Sequence, residues 1–301
     1  MRVALTGGTG FIGSHLIDAA LVAGHDVNAL TRREQQPRSG VTWVLGDLAS
    51  RDALEQLVRN ADAVIHLAGT IKASTASAFH EGNVTGTLAM LAAATAGGVQ
   101  RFIHVSSLAA REPKLSLYGA SKERAENLVM GSGLDWAIVR PPAVYGPGDK
   151  ETLELFRMAK LGLMLMPPKG RVSVIHVADL ARLLLALAGP GASANCMIEP
   201  DDGRAAGWTH RDFARALADS VGTRAAVVSS PGILLRLAAH ADQLLRGEKA
   251  KLTVDRAAYF SHRNWVVEPK RAAPAALWRP EIGTAQGLKD TAEWYRANGW
   301  L

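Results

Sequence analysis

Three side chains in one stretch of the chain have the types and spacing for proton transfer. Ser107, Tyr118 and Lys122 lie within "SSLAAREPKLSLYGASK", residues 106–122. Tyr118 and Lys122 stand four residues apart, which puts them on one face of a helix. A free phenol titrates at about pH 10, too high for ready exchange in neutral solution. An ammonium beside it stabilises the phenolate and lowers that value, so the pair is a candidate general acid/base. Ser107 follows an apolar run of strand type, where its hydroxyl is placed to hold a carbonyl oxygen. Tyr-x-x-x-Lys alone arises by chance in many helices, and an ordinary half-buried tyrosine is the competing reading.

The elements around this stretch give it a setting. Strand-type runs occupy 2–6, 26–31, 41–45, 63–67, 101–106 and 136–140. Helix-compatible segments fill the gaps at 11–23, 51–59, 76–96 and 116–131. Short apolar strands alternating with helices predict an α/β fold, a parallel sheet covered on both faces and doubly wound in the Rossmann manner. Residues 1–150 form the expected main domain, and 171–191, "RVSVIHVADLARLLLALAGPG", read as a strand and helix returning to its sheet. Residues 151–170 and 192–301 are expected to form a smaller, mostly helical C-terminal cap that binds substrate.

"TGGTGFIG", residues 6–13, joins the first strand to the first helix. Its glycines, Gly7, Gly10 and Gly13 among them, suit a tight turn, a close backbone approach to pyrophosphate and close helix–strand packing. The helix start offers free N–H groups to phosphate. Thr9, Phe11 and Ile12 belong to the same cofactor-binding loop. The second strand ends in Thr31, where NAD sites carry an acid, and is followed by Arg32 and Arg33. Paired arginines suit a 2′-phosphate. NADP(H) is therefore the expected cofactor and NAD(H) the alternative, with Glu34 the only acid close by.

Bulk composition removes several classes. The 301 residues carry a net charge of +6, but the basic residues are scattered, which argues against nucleic acid and for attraction of an anionic cofactor. Leu180–Gly189 is too short and broken to span a bilayer. The start lacks the pattern of a signal peptide, and a single cysteine, Cys196, fits a reducing compartment, so a cytoplasmic protein is expected. No metal is expected.

With these motifs in hand, the chain resembles the extended branch of the short-chain dehydrogenase/reductase superfamily, which includes nucleotide-sugar epimerases and dehydratases, 3β-hydroxysteroid dehydrogenase-like and dihydroflavonol-reductase-like enzymes. The resemblance rests on the glycine loop, "GDL" (46–48), "HLAG" (66–69), "NVTGT" (83–87), "VSS" (105–107), "YGASK" (118–122), "RPPAVYGPGD" (140–149), "IHVADLA" (175–181) and "GLKDTAEWY" (287–295). It implies catalysis by Ser107, Tyr118 and Lys122, with the latter two also contacting the cofactor. It implies that Asp47 and Leu48 meet the adenine, that Leu67, Ala68 and Gly69 line the cofactor, and that Pro141 and Val144 flank the nicotinamide. Asn83 sits in the matching helix without an assigned role; His176, Asp179 and Cys196 read as structural. Two departures count against a nucleotide sugar. Only ten residues separate Ser107 from Tyr118, and Arg171 stands one place too early to grip a diphosphate, a shift that turns a strand side chain to the other face.

Residues 155–170, with Met158, Met164 and Met166, and the amphipathic stretch 232–245 are expected to line an apolar pocket, or else to be packing or a dimer face. The helices near 76–96 and 116–131 are a candidate homodimer face. Three functions compete: an NADP(H)-dependent oxidoreductase interconverting a small, apolar ketone or aldehyde and its alcohol, a nucleotide-sugar epimerase or dehydratase with retained NAD, and a non-catalytic NADP-binding regulator.

Overall fold

The computed structural model describes residues 1–167, 169–229, 258–259 and 261–301. It divides into two compact units: Met1–Pro141, Ala178–Glu199 and Arg271–Arg279 in the first; Pro142–Val177, Pro200–Lys270 and Pro280–Leu301 in the second.

The first unit holds a seven-stranded sheet. Its strands are β1 (Arg2–Thr6), β2 (Asp26–Thr31), β3 (Val41–Leu45), β4 (Ala63–His66), β5 (Arg101–Val105), β6 (Asp135–Val139) and β11 (Cys196–Ile198). They pair in the order β11-β6-β5-β4-β1-β2-β3, every pair parallel. The inner strands β4 and β5 are buried throughout, which is why they read as unbroken apolar runs. The crossovers carry helices α1 (Phe11–Val22), α2 (Arg51–Val58), α4 (Gly86–Ala96) and α5 (Leu117–Met130). The short α3 (Ala76–Phe79) runs into α4 through a π-helical segment, His80–Thr85. One face of the sheet packs Val64, Phe102 and Ile138 against Leu54, Leu57, Met90, Ala94 and Val129. The strand order reverses between β1 and β4, and in such sheets ligands bind beyond the strand ends at that point.

The strand expected to return to this sheet does not. β10 (Val174–His176) pairs instead with β7 (Ala143–Tyr145), and β9 (Arg171–Val172) joins a separate small sheet with β12 (Trp208–Thr209) and β14 (Asn264–Trp265). Helix α7 (Val177–Ala188) does join the first unit over most of its length, and β11 supplies the edge strand beside β6.

In the second unit β8 (Leu163–Met166) pairs with β13 (Ala226–Ser229). Helices α6 (Leu153–Lys160), α8 (His210–Ser220) and the last helix (Thr284–Ala297) enclose a core of Phe156, Phe213, Leu217, Leu288 and Tyr295. Met164 and Met166 point into this core, while Leu163 and Leu165 on the alternate positions are exposed, so the two strand methionines are packing residues here. The expected helix-rich 192–301 contains four short strands among its described residues, each two to four residues long and too brief to show a period. The stretch 232–245 lies outside the described residues. Among the described residues, no helix is long and apolar enough to cross a membrane.

Candidate active site

The glycine loop is shaped for a close neighbour. Gly7 adopts φ +76°, and a Cβ there would stand 2.9 Å from the Ala68 nitrogen. A Cβ on Gly13 would fall 2.1 Å from the Gly7 carbonyl oxygen, so only glycine lets α1 start so close to the strand. Gly10 caps α1 without a side-chain hydrogen bond, and no acid occupies the first turn. Thr9 and Gly10 are exposed, Phe11 and Ile12 half-buried, and Phe11 lies edge-on to His15. Uncapped N–H groups at the mouth of the β1/β4 crevice fit a dinucleotide pyrophosphate. Leu67, Ala68 and Gly69 follow β4 on the other side of that crevice.

At the end of β2, the Thr31 hydroxyl donates to the Arg33 carbonyl at 2.7 Å and fixes the turn. Arg32 and Arg33 are exposed. Arg32 acts on Asp47, whose carboxyl is held below its ordinary value chiefly by hydrogen bonds from the Ser50 hydroxyl and the Ala49 amide. Leu48 packs beside Gly86 at the start of α4.

Ser107 caps the short 3-10 turn Leu108–Arg111, its Oγ accepting from Ala109 N at 3.2 Å. Leu108 N donates to the Pro141 carbonyl at 3.1 Å, which brings Pro141 beside this turn. Val144 belongs to the second unit. Ser116 caps α5 by accepting from Gly119 N at 2.9 Å. A Cβ on Gly119 would meet the Ala109 carbonyl oxygen at 2.6 Å, so glycine is what lets α5 approach the Ser107 turn. Ser107 and Tyr118 are hydrogen-bonded through their side chains. The Tyr118 ring is half-buried and tilted against Phe79, with centroids 6.1 Å apart.

The expected lowering of the Tyr118 pKa by Lys122 is absent. Burial pushes the phenol up, and the bond to Ser107 acts in the opposite direction. Lys122 turns its ammonium to the Val105 carbonyl, 2.8 Å away. Burial lowers Lys122 itself to about 8, against an upward pull from Glu126. Glu126 is buried and gripped by Arg140 Nε at 2.8 Å and Nη2 at 2.6 Å, and it accepts from Ser106 Oγ.

Sequence reasoning left Asn83 without a role, and the structure gives it one. Its Oδ1 accepts from Thr70 N at 2.7 Å, and its Nδ2 donates to Thr70 O at 2.9 Å and Ser121 Oγ at 2.8 Å. Ser121 Oγ in turn donates to the Tyr118 carbonyl at 2.7 Å. Asn83 thus ties the loop after β4 to the helix that carries Tyr118 and Lys122. The "NVTGT" motif was the available signal. Ser107, Tyr118, Lys122 and Asn83 all lie in the first unit. Among the described residues, no group of three metal-ligating side chains occurs.

A family model, described as the NAD dependent epimerase/dehydratase family, matches residues 3–195. The chain belongs to this family. Its relatives include a ceramide reductase of Caulobacter vibrioides, 38% identical over 308 aligned positions that cover 99% of this chain and 96% of that protein. A 4-hydroxy-2-methyl-3-oxo-4-farnesyl-3,4-dihydroquinoline-1-oxide ketoreductase of Stigmatella aurantiaca is 31% identical over 81% of this chain and 80% of that one. Among solved structures, a dTDP-glucose 4,6-dehydratase of Streptomyces venezuelae with NAD and TYD bound is 25% identical, covering 100% of this chain and 98% of that one, with a TM-score of 0.75. Family and reductase-named relatives together make this chain an NAD(P)-dependent oxidoreductase of the extended short-chain type.

Proposed function

We propose that the protein is an NADP(H)-dependent reductase for a ketone carried on a long-chain, lipid-like substrate. The observation that carries this reading is the hydrogen-bonded Ser107–Tyr118 pair with Lys122 one turn further along α5. The substrate class is supported by three relatives, named for a ceramide, a farnesyl dihydroquinoline oxide and a 2-alkyl-3-oxoalkanoate. Such a substrate keeps the apolar character expected from the sequence and departs from the small size expected there. Arg32 and Arg33 support the phosphorylated cofactor through forked, charged hydrogen bonds to a 2′-phosphate.

When bound, the reduced cofactor supplies the hydride. Ser107 holds the carbonyl oxygen, and Tyr118 delivers its phenolic proton to that oxygen as the hydride reaches carbon. Lys122, one turn further along α5, donates its ammonium to the Val105 carbonyl and would hold the cofactor through its charge. Tyr118 leaves the step deprotonated and regains its proton from solvent.

Retained-NAD epimerase or dehydratase activity is the second reading, favoured by a UDP-glucose 4-epimerase of Vibrio cholerae, 27% identical over 67% of this chain. Arg171 counts against it. Its guanidinium donates to the Ala206 carbonyl at 2.5 Å and the Gly207 carbonyl at 3.2 Å, and so is committed to a turn.

The test is turnover with NADPH or NADH on 3-oxo lipids, short ketones and sugar nucleotides. Reduction of the long-chain ketone with NADPH is expected. Tyr118→Phe should lower kcat about 10²–10⁴-fold while leaving NADPH affinity unchanged. Unaltered kcat sinks the mechanism, and cofactor-independent conversion of a sugar nucleotide replaces it with the second reading.

A further inference from the structure

A chain of hydrogen bonds crosses the first unit beneath this site, and the chemistry of its members fixes the direction of every link. The Ala68 amide donates to Thr6 Oγ1 at 3.0 Å, and Thr6 Oγ1 lies 2.8 Å from His66 Nδ1. His66 Nε2 lies 3.1 Å from Thr87 Oγ1, which donates to the Asn83 carbonyl oxygen at 2.6 Å. A carbonyl oxygen only accepts, so Thr87 uses its one proton on Asn83. His66 Nε2 must then carry a hydrogen and donate it to Thr87.

The other ring nitrogen follows. His66 is fully buried, its ring stacked on that of His104 with centroids 5.6 Å apart. Burial, and then the charge of Lys122, lowers His66 to about 3. A neutral imidazole has one N–H, so Nδ1 is bare and accepts from the Thr6 hydroxyl. The relay therefore has one polarity throughout: Ala68 amide to Thr6, Thr6 to His66, His66 to Thr87, Thr87 to the Asn83 carbonyl. Chains of like-directed bonds polarise one another in a buried setting.

Its two ends are informative. Thr6 closes β1 and opens the glycine loop, and Ala68 lies in the loop after β4, so one end reports on both walls of the crevice. The other end is the backbone of Asn83, inside the π-helical segment, whose side chain reaches Thr70 and Ser121 and, through Ser121, the first turn of α5.

We propose that His66 is a positioning residue for the reaction: its Nε2-protonated ring couples the two cofactor-side loops to Asn83, and through Ser121 to the helix bearing Tyr118. Cutting the relay at either end then misplaces the same catalytic group. The kinetic part of the test rests on the reductase reading; the spectroscopic part does not.

Nitrogen NMR of the full chain with ¹⁵N-labelled histidine tests the tautomer. The His66 signals should show protonated Nε2 and unprotonated Nδ1 throughout about pH 5 to about pH 9, with no change of protonation as the neighbouring Lys122 titrates. A proton on Nδ1, or titration inside that window, overturns the proposal. A double-substitution cycle tests the coupling. Thr6→Val and Thr87→Val should each lower kcat about tenfold, and the double variant little further, because both cut one relay. Their losses in Tm should add, since those arise from separate packing sites. Thr87→Ser, which keeps the hydroxyl, should restore kcat. Additive kinetic losses of about a hundredfold, or a serine variant no better than valine, overturn the coupling. If the unsubstituted protein reduces no ketone, the reductase reading fails by itself; the same cycle read in NADPH affinity then supports or overturns the relay.

Discussion

Lys122 is a buried ammonium held at about 8 by loss of water, with Glu126 pulling the value upward. His66 and His104 face it from the sheet, and both are kept neutral by burial first and by its charge second. In the proposed reaction Lys122 acts toward the bound cofactor as an ammonium, so kcat/KM is expected to fall above about pH 8. Glu126→Gln removes the upward pull and should move this limb to lower pH; Lys122→Arg, whose guanidinium stays protonated, should abolish it. An unmoved limb in Glu126→Gln would assign it to another group. Stability has the opposite sign. Between about 8 and the ordinary 10.5, the unfolded chain keeps a proton that the folded chain releases, so this group's contribution to stability rises with pH through that window. The Tm advantage expected for Lys122→Met at pH 7 should therefore shrink as pH rises. At this scale the sequence named the three candidate groups, because type and spacing suffice for that. It misjudged the phenol, because burial and the turn of Lys122 toward Val105 are products of tertiary packing. Asn83 stayed unassigned because its partners Thr70 and Ser121 lie 13 and 38 positions away.

Elements of the main sheet were legible for a physical reason. A parallel strand covered on both faces must be apolar at nearly every position, and β1, β2, β4 and β5 read that way, while the edge strand β3 was legible from its apolar run although its side chains are largely exposed. The edge strand β11, only "CMI", has too little length to announce itself, and the strands of the second unit share that limit. The π-helical turn at His80–Thr85 was equally silent, since its pattern matches an ordinary helix. Contact between α5 and the Ser107 turn depends on one missing methyl group. Gly119→Ala is expected to push that turn away from Tyr118, with a loss of roughly 1–3 kcal/mol of stability by the measure of overpacked sites and a fall in kcat larger than the change in cofactor affinity. Thermal melts and steady-state kinetics on the same preparation check both; an unchanged kcat would mean that Ser107 reaches Tyr118 without this approach.

At the scale of the whole molecule, the first unit is assembled from three separated pieces of chain. Glu199, fully buried, is the clasp. Arg140, Arg111 and Arg271 approach its carboxylate at 3.5, 3.5 and 3.7 Å, and its amide donates to the Arg271 carbonyl at 2.8 Å. Trp278 adds a bond from Nε1 to the Asp179 carbonyl at 3.0 Å. The residues 3–195 that match the family model stop short of both β11 and Arg271–Arg279. A ribosome releases residues in order, at about 5–20 per second. The nascent chain thus exposes the glycine loop, Ser107, Tyr118 and Lys122 well before the last piece that closes around Glu199 emerges. Until then the Glu199 carboxylate lacks one of its three arginines and its amide lacks the Arg271 carbonyl. A protein cut after residue 270 should stay in that state, and its failure to give a cooperative melt, against a sharp one for the full chain, would show that the first unit is finished only once Arg271–Arg279 is in place.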